Sequence, residues 1–129
     1  MLRPKFAWND YFTGTPQTKL EHETYNSTQN PSSSTVYVSN CLFDKCTSTS
    51  NGGAMYCSSS VTYLLVESSS FFSCSTSSYH GGAIDVDQCG GRYVLHKVCG
   101  NDCFSTSASV SYGQFARLKV KPGTSNQNY

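Results

Sequence analysis

Apolar residues in this chain fall in short clusters rather than long runs. Val36-Tyr37-Val38, Cys41-Leu42-Phe43, Met55-Tyr56-Cys57, Tyr63-Leu64-Leu65-Val66, Phe71-Phe72, Ile84-Asp85-Val86 and Tyr93-Val94-Leu95 lie in a background of Ser, Thr, Asn and Gly. Clusters of this length between turn-forming residues predict β-strands. No window repeats apolar residues at helical spacing over about 10–12 positions, so an all-β chain is expected.

The clusters also recur. Asn51-Gly52-Gly53-Ala54-Met55-Tyr56-Cys57 returns as His80-Gly81-Gly82-Ala83-Ile84-Asp85-Val86, an offset of 82 − 53 = 29 residues. The same step carries Leu42-Phe43 to Phe71-Phe72 and Val36-Tyr37 to Leu65-Val66. Applied again, it carries Leu65-Val66 to Val94-Leu95 and Cys74 to Cys103. A period of this size marks a solenoid, because one turn of about 29 residues cannot bury its own apolar face and must stack on its neighbours. Strands of successive turns then lie parallel, and the rule for parallel crossovers makes the winding right-handed. The fold expected is therefore all-β, a short right-handed single-stranded parallel β-helix of about three rungs.

Three segments follow from this period. Residues 35–120 hold the rungs, and residues 121–129 form a polar tail. Tyr112-Gly113-Gln114-Phe115 fits the Gly-Gly-Ala-Ile slot if the preceding turn holds two extra residues, and Arg117-Leu118-Lys119-Val120 reads as one more strand. Residues 1–34 form an N-terminal arm whose Phe6, Trp8, Tyr11 and Phe12 suit an aromatic cap over an open end; a degenerate rung and a disordered arm are the alternatives. The open ends leave strand edges through which the chain is expected to self-associate.

Alternation assigns the faces. Met55 and Ile84, then Cys57 and Val86, are expected to point inward, with Tyr56 and Asp85 outward. In the other strands Tyr37, Val66 and Leu95 are taken as the inward row, which turns Val38, Glu67 and His96 outward. Glu67 and His96 then meet on adjacent rungs as an exposed pair.

Composition changes this picture little. Lys+Arg 9 against Asp+Glu 8 leaves a net charge of +1, so nothing favours a nucleic acid or an anionic membrane surface. Charged residues make up 13% of the chain, and Ser and Thr take their place. The longest apolar run, Tyr63-Leu64-Leu65-Val66, is far short of the roughly 20 residues of a membrane span. The first residues lack the apolar core of a secretory signal. The chain is thus either not exported by that route or a fragment of a longer protein. Seven cysteines cannot all pair within one chain, and the sequon Asn26-Ser27-Thr28 matters only in a secreted context, so the compartment stays open.

The Gly-Gly-Ala-Met/Ile motif has a Phe nine residues before its first glycine (52 − 43 = 9 and 81 − 72 = 9). With that feature it resembles the repeats of polymorphic outer-membrane-type β-helix proteins. The Ser- and Cys-rich filling, as in Val-Ser-Asn-Cys-Leu-Phe-Asp-Lys-Cys, is similar to right-handed β-helix families of parasitic protists. This resemblance covers about residues 35–120 and implies a surface or secreted repeat protein, in some cases adhesive, with a glycan or host-surface ligand as partner.

Candidate chemistry is sparse. Asp85 and Asp87 are two residues apart and share a strand face, which makes them the catalytic candidates. Sugar-cleaving enzymes work with two carboxylates, and pectin-degrading enzymes carry acids on an outer strand face of this kind of fold. A truncated pectin-lyase-like lyase or glycoside hydrolase is therefore the alternative to a non-enzymatic module for display or binding. Tyr56 and Ser58 stand at the equivalent places one rung earlier, so the acids do not repeat. His80 holds the corner slot of Asn51, where both side chains suit a turn. Cys46, Cys74 and Cys103 recur at one place after the Phe, either as packed thiols or as a bridge between Cys74 and Cys103. Cys99 and Cys103 lack the spacing of a zinc motif, and neither Gly-Gly pair is followed by Lys-Ser/Thr and a helix. No metal or other cofactor is expected.

Overall fold

The computed structural model describes residues 8–77, 80–87, 91–106, 115–118 and 127–128. Outside the described residues lie Phe6, Cys89, the expected slot residues 112–114, positions 119–120 of the expected extra strand, and most of the tail. A short 3-10 turn, Trp8–Asp10, precedes thirteen strands. In order these are β1 (Thr18–Glu21), β2 (Thr24–Tyr25), β3 (Thr35–Ser39), β4 (Leu42–Asp44), β5 (Thr47–Ser48), β6 (Met55–Cys57) and β7 (Tyr63–Phe72). They continue with β8 (Ser75–Thr76), β9 (Ile84–Val86), β10 (Arg92–Asn101), β11 (Phe104–Ser105), β12 (Ala116–Leu118) and β13 (Gln127–Asn128).

All of them pair in parallel, in three sheets. The first sheet runs β1-β3-β7-β10-β13, with β2 and β4 joining at one end. The second is β5-β8-β11 and the third β6-β9-β12. From β3 onward, after each stretch in the first sheet the chain enters the second, then the third, and then returns to the first. The polar stretch before Thr35 contributes β1 and β2, and Gln29 bridges to Met55.

One core lies between the three sheets. Columns of like residues fill it: Val36, Leu64 and Tyr93; Val38, Val66 and Leu95; Met55, Ile84 and Ala116; Cys57, Val86 and Leu118. Beside them stands an aromatic stack. The Tyr25 and Phe43 rings are 5.1 Å apart, those of Phe43 and Phe71 are 4.6 Å apart and nearly coplanar, and Phe115 meets Phe71 edge-on at 5.7 Å. Each large side chain buried this way contributes about 1.5–3 kcal/mol.

The 29-residue step holds between β7 and β10 throughout, and between Met55 and Ile84. Between β3 or β4 and β7 it is 28: Val36 pairs with Leu64, Tyr37 with Leu65, and Phe43 with Phe71. The expected pairings of Val36-Tyr37 with Leu65-Val66, and of Leu42-Phe43 with Phe71-Phe72, are thus each off by one. The corner before the third sheet absorbs the difference, since Met55 follows Ser48 by 55 − 48 = 7 residues on one pass and Ile84 follows Thr76 by 84 − 76 = 8 on the next. The last slot also moves by one, since Ala116 and not Phe115 pairs with Ile84.

That slip reverses one facing. Val38 joins Val66 and Leu95 inside, whereas Tyr37 turns outward with Leu65 and Val94. Met55, Ile84, Cys57 and Val86 point inward as expected.

Bends inside the first sheet, and the corner from it to the second, are made by non-glycine residues in the left-handed region. His22, Asn40, Ser68 and Lys97 form one column of these, with φ of 54, 53, 48 and 55°, and Lys45, Ser73 and Asp102 form a second. Several bend residues still donate to the adjacent pass: Asn40 N–H to Glu67 O at 3.2 Å, Lys45 to Phe72 at 2.8 Å and Ser73 to Asn101 at 2.9 Å. Ladder bonds carried through the bend offset a conformation that costs roughly 1–2 kcal/mol for an L-residue.

Gly53 has a different reason to be glycine. A Cβ there would overlap the backbone oxygens of Gly82 and Ser75 on the adjacent pass. Gly14, at φ +80°, has nothing near its missing Cβ. Gly53→Ala is therefore expected to cost about 3 kcal/mol or more through overpacking, and Gly14→Ala about 1 kcal/mol through its dihedral alone. Urea unfolding of the two variants checks this; equal costs would mean that the passes do not approach each other at Gly53.

Candidate functional site

The three sheets turn three different outer faces away from the core. On the first, the column Tyr37, Leu65, Val94 is apolar and is covered by Trp8 and Phe12. The Trp8 and Phe12 rings lie 4.7 Å apart, Trp8 meets Tyr37 edge-on at 6.2 Å, and Phe12 packs on Tyr63 at 5.1 Å. The Arg92 guanidinium sits 5.7 Å over the Phe12 ring.

Glu67 and His96 are paired in register on this face. The expectation that the pair is exposed is corrected, since Glu67 is 0% exposed. Its Oε1 accepts a hydrogen bond from the Tyr37 hydroxyl, and His96 Nδ1 lies 3.9 Å from Oε2. Tyr11 closes the cluster through its hydroxyl, 3.2 Å from His96 Nδ1. Burial pushes the Glu67 carboxyl above the usual range, against the lowering effects of Tyr37 and His96. Burial, followed by the bond to Glu67, pushes the Tyr37 phenol up to about 12.

The second sheet's outer face is polar and shallow. Thr47, Thr49, Ser75, Ser77 and Thr106 line a concavity on it, and Phe104 stands exposed in the row of Thr47 and Ser75. Two outward rows of hydroxyls are repeated at the strand spacing of about 4.8 Å.

The third sheet brings Asp85 and Asp87 to one cation. Arg117, in the row of Tyr56 and Asp85, donates from Nε to Asp85 Oδ1 at 2.6 Å and from Nη2 to Oδ2 at 3.0 Å. Asp87 Oδ1 is 3.5 Å from the same Nη2. Asp85 is fully buried beneath the guanidinium, whereas Arg117 keeps 23% of its side chain exposed. The bond to Asp85 raises the Arg117 pKa further. Burial and the two carboxylates raise that of Tyr56. The arrangement is a bidentate clamp of the kind that fixes a guanidinium in one plane.

Inside, Cys46, Cys74 and Cys103 form a column of thiols, each pointing at a carbonyl of the aromatic stack. Their sulfurs lie 3.4 Å from Tyr25 O, Phe43 O and Phe71 O respectively. The three thiols also bond to one another, which lowers the Cys46 pKa. For Cys74 the bond to Cys103 lowers it while the bond to Cys46 and burial raise it, to about 11. Cys103 is raised by its bond to Cys74 and by burial. The six described cysteines are free thiols, so Cys74 and Cys103 are not bridged. Among the described residues, no group of three or more His, Cys, Asp or Glu side chains could hold a metal ion, and no helix is long and apolar enough to cross a membrane.

The sequence singles out Asp85, Asp87, Glu67 and the thiol column but gives no sign of Arg117 and Tyr37 as partners of the acids. Arg117 alternates with apolar neighbours, which marks an outward residue. Its row was hidden because β12 follows β9 at 116 − 84 = 32 residues, not 29.

Two outcomes test these sites. Arg117→Met leaves the buried Asp85 without its cation and is expected to cost about 2 kcal/mol, below the full value for a buried pair because Arg117 is partly solvated. Much of that cost should disappear in an Asp85→Asn background when chemical unfolding is followed. Among the cysteines, burial pushes Cys57 up to about 12. Iodoacetamide in native buffer should label exposed Cys99 at least about 100-fold faster than buried Cys57 or Cys74, whose thiols are closed to the reagent and slow to ionise. Comparable rates, read by peptide mass spectrometry, would show the column to be open to solvent.

Against known proteins, the chain matches no family model, no curated protein and no solved structure.

Proposed function

We propose that this chain is a right-handed parallel β-helix module of about three rungs that binds or displays rather than catalyses, as part of a longer protein. The cyclic visit to three parallel sheets around one core supports the solenoid reading. The observation that carries the functional reading is the contrast between two outer faces. The acids of the third sheet are clamped on Arg117, with Asp85 buried beyond the reach of a polymer. The hydroxyls of the second sheet lie open along a shallow, uncharged surface beside exposed Phe104. Hydroxyl rows with a neighbouring aromatic ring suit a neutral glycan, whose hydroxyls and C–H faces they match. The resemblance to β-helix surface proteins points to the same class of ligand and to the cell surface.

A specific observation keeps the enzyme reading as the second one: Tyr56, Asp85 and Arg117 fall in one row across three strands, with Asp87 beside them. One experiment separates the two. The full chain is incubated with neutral glycans and with polygalacturonate, and both retention and bond cleavage are measured. The expected outcome is retention on a neutral glycan that weakens at least tenfold in Thr49→Lys/Ser77→Lys, with no reducing ends or unsaturated products released. Cleavage that disappears in Asp87→Asn would overturn the binding reading in favour of the lyase or hydrolase.

A further inference from the structure

Glu67 follows inward-facing Val66 in β7, so its side chain leaves the core. It is nevertheless 0% exposed, because the segment from Trp8 to Phe12 covers the face it points to. Its Oε1 has the Tyr37 hydroxyl, but Oε2 is buried without a hydrogen-bond partner. A buried carboxylate with one donor is far more costly than the same group protonated.

The covering segment is built as a unit. Trp8 Nε1 donates to Thr13 O at 3.3 Å, and Asn9 Nδ2 donates to Gly14 O at 3.0 Å. These bonds close within the segment, and Gly14 at φ +80° ends it at a residue with free space around it. We propose that residues 8–14 form a lid over the outer face of the first sheet, held shut while the Glu67 carboxyl is protonated and released when it ionises. Release uncovers the apolar column Tyr37, Leu65 and Val94, a surface that the glycan reading does not use.

The groups around the carboxyl set the direction. From the lid come the Asp10 carboxylate, which opposes ionisation of Glu67, and Tyr11, whose hydroxyl bonds to His96. From β3 come Tyr37 and Ser39, and from β10 come His96, 3.9 Å away, and Arg92 over Phe12. From β1 come Lys19 and Glu21, in the rows of Tyr37 and Ser39. Burial outweighs the help of Tyr37 and His96, so the carboxyl titrates above its ordinary value in the closed form. A group raised in this way stabilises the closed form fully below about pH 4.3, and the contribution is lost as pH rises through the raised value. One proton limits the change in the open-to-closed ratio to about tenfold per pH unit.

The chain's single tryptophan, Trp8, reports on the lid and is 4% exposed when it is shut. Its fluorescence and its quenching by acrylamide are followed from acid to mildly alkaline pH in the full chain, with circular dichroism monitoring the sheets. Expected are a red shift and stronger quenching with a midpoint above about pH 4.3, at constant circular dichroism. The transition should vanish in Glu67→Gln, with Trp8 buried throughout. Tyr37→Phe removes the only donor to Glu67 beneath the lid and so weakens the closed form, and its midpoint should fall by about 0.5–1 pH unit. This second variant decides the matter if Glu67→Gln does not fold. A flat wild-type profile overturns the lid, as does a transition that persists in Glu67→Gln and disappears in His96→Gln, or an unmoved midpoint in Tyr37→Phe.

Discussion

The backbone ladder between parallel passes governs everything else in this structure. Strands about 4.8 Å apart must exchange hydrogen bonds along their whole length, and a buried N–H or C=O left unpaired costs more than most side-chain contacts return. A strand can satisfy this requirement easily; a corner cannot. Bend residues such as Asn40, Lys45 and Ser73 nevertheless donate to the next pass. At the Gly-Gly corner, Gly52 N–H reaches His80 O and Gly53 N–H reaches Gly81 O, both at 3.1 Å. Corners are therefore stacked as strictly as strands, and the same backbone conformation recurs at 40, 68 and 97.

Stacked corners force stacked side chains. Once the ladder fixes the register, each inward residue lies directly over its counterpart one pass earlier, so a column works only if one residue type tolerates its own kind as neighbour. Aromatic rings do so face to face, as Phe43 and Phe71 show at an interplanar angle of 3°. Small thiols do so too, and Cys46, Cys74 and Cys103 also take up the carbonyls beneath the rings. Charges do not, since like charges directly opposite one another are destabilising. A chain with 13% charged residues and long Ser/Thr stretches is what such columns allow.

This explains which features were legible in the sequence. Apolar clusters and their recurrence gave the all-β class, the parallel pairing and the inward rows of Met55 and Cys57, because strand periodicity acts on each cluster locally. The Gly-Gly corner stood out since glycine is there for a backbone reason. The other corners did not, because Asn40, Ser68 and Lys97 occupy the left-handed region without glycine and give no composition signal. With those bends silent, the sequence offers a single period and gives no sign of the one-residue difference at the 48–55 corner. A single-residue slip is enough to turn Tyr37 from the core to the outer face and to hide its bond to Glu67. The cover of Trp8 and Phe12 over that face was equally unreadable, since it rests on contacts between residues far apart in sequence.

The few charges that remain follow from the same geometry. Asp85 and Glu67 both leave the core on outward positions, and both end fully buried, one beneath Arg117 and the other beneath the aromatic segment. Their fates differ because their neighbours in the row differ. Asp85 has an arginine on the next strand, so each of its two oxygens has a donor. Glu67 has Ser39 on one side and His96 on the other, and His96 Nδ1 stays 3.9 Å from Oε2, so that oxygen has no hydrogen bond. In a stack whose register is rigid, a carboxyl oxygen with no hydrogen-bond donor within reach in its own row cannot recruit one by moving. It can only change its proton or lose its cover.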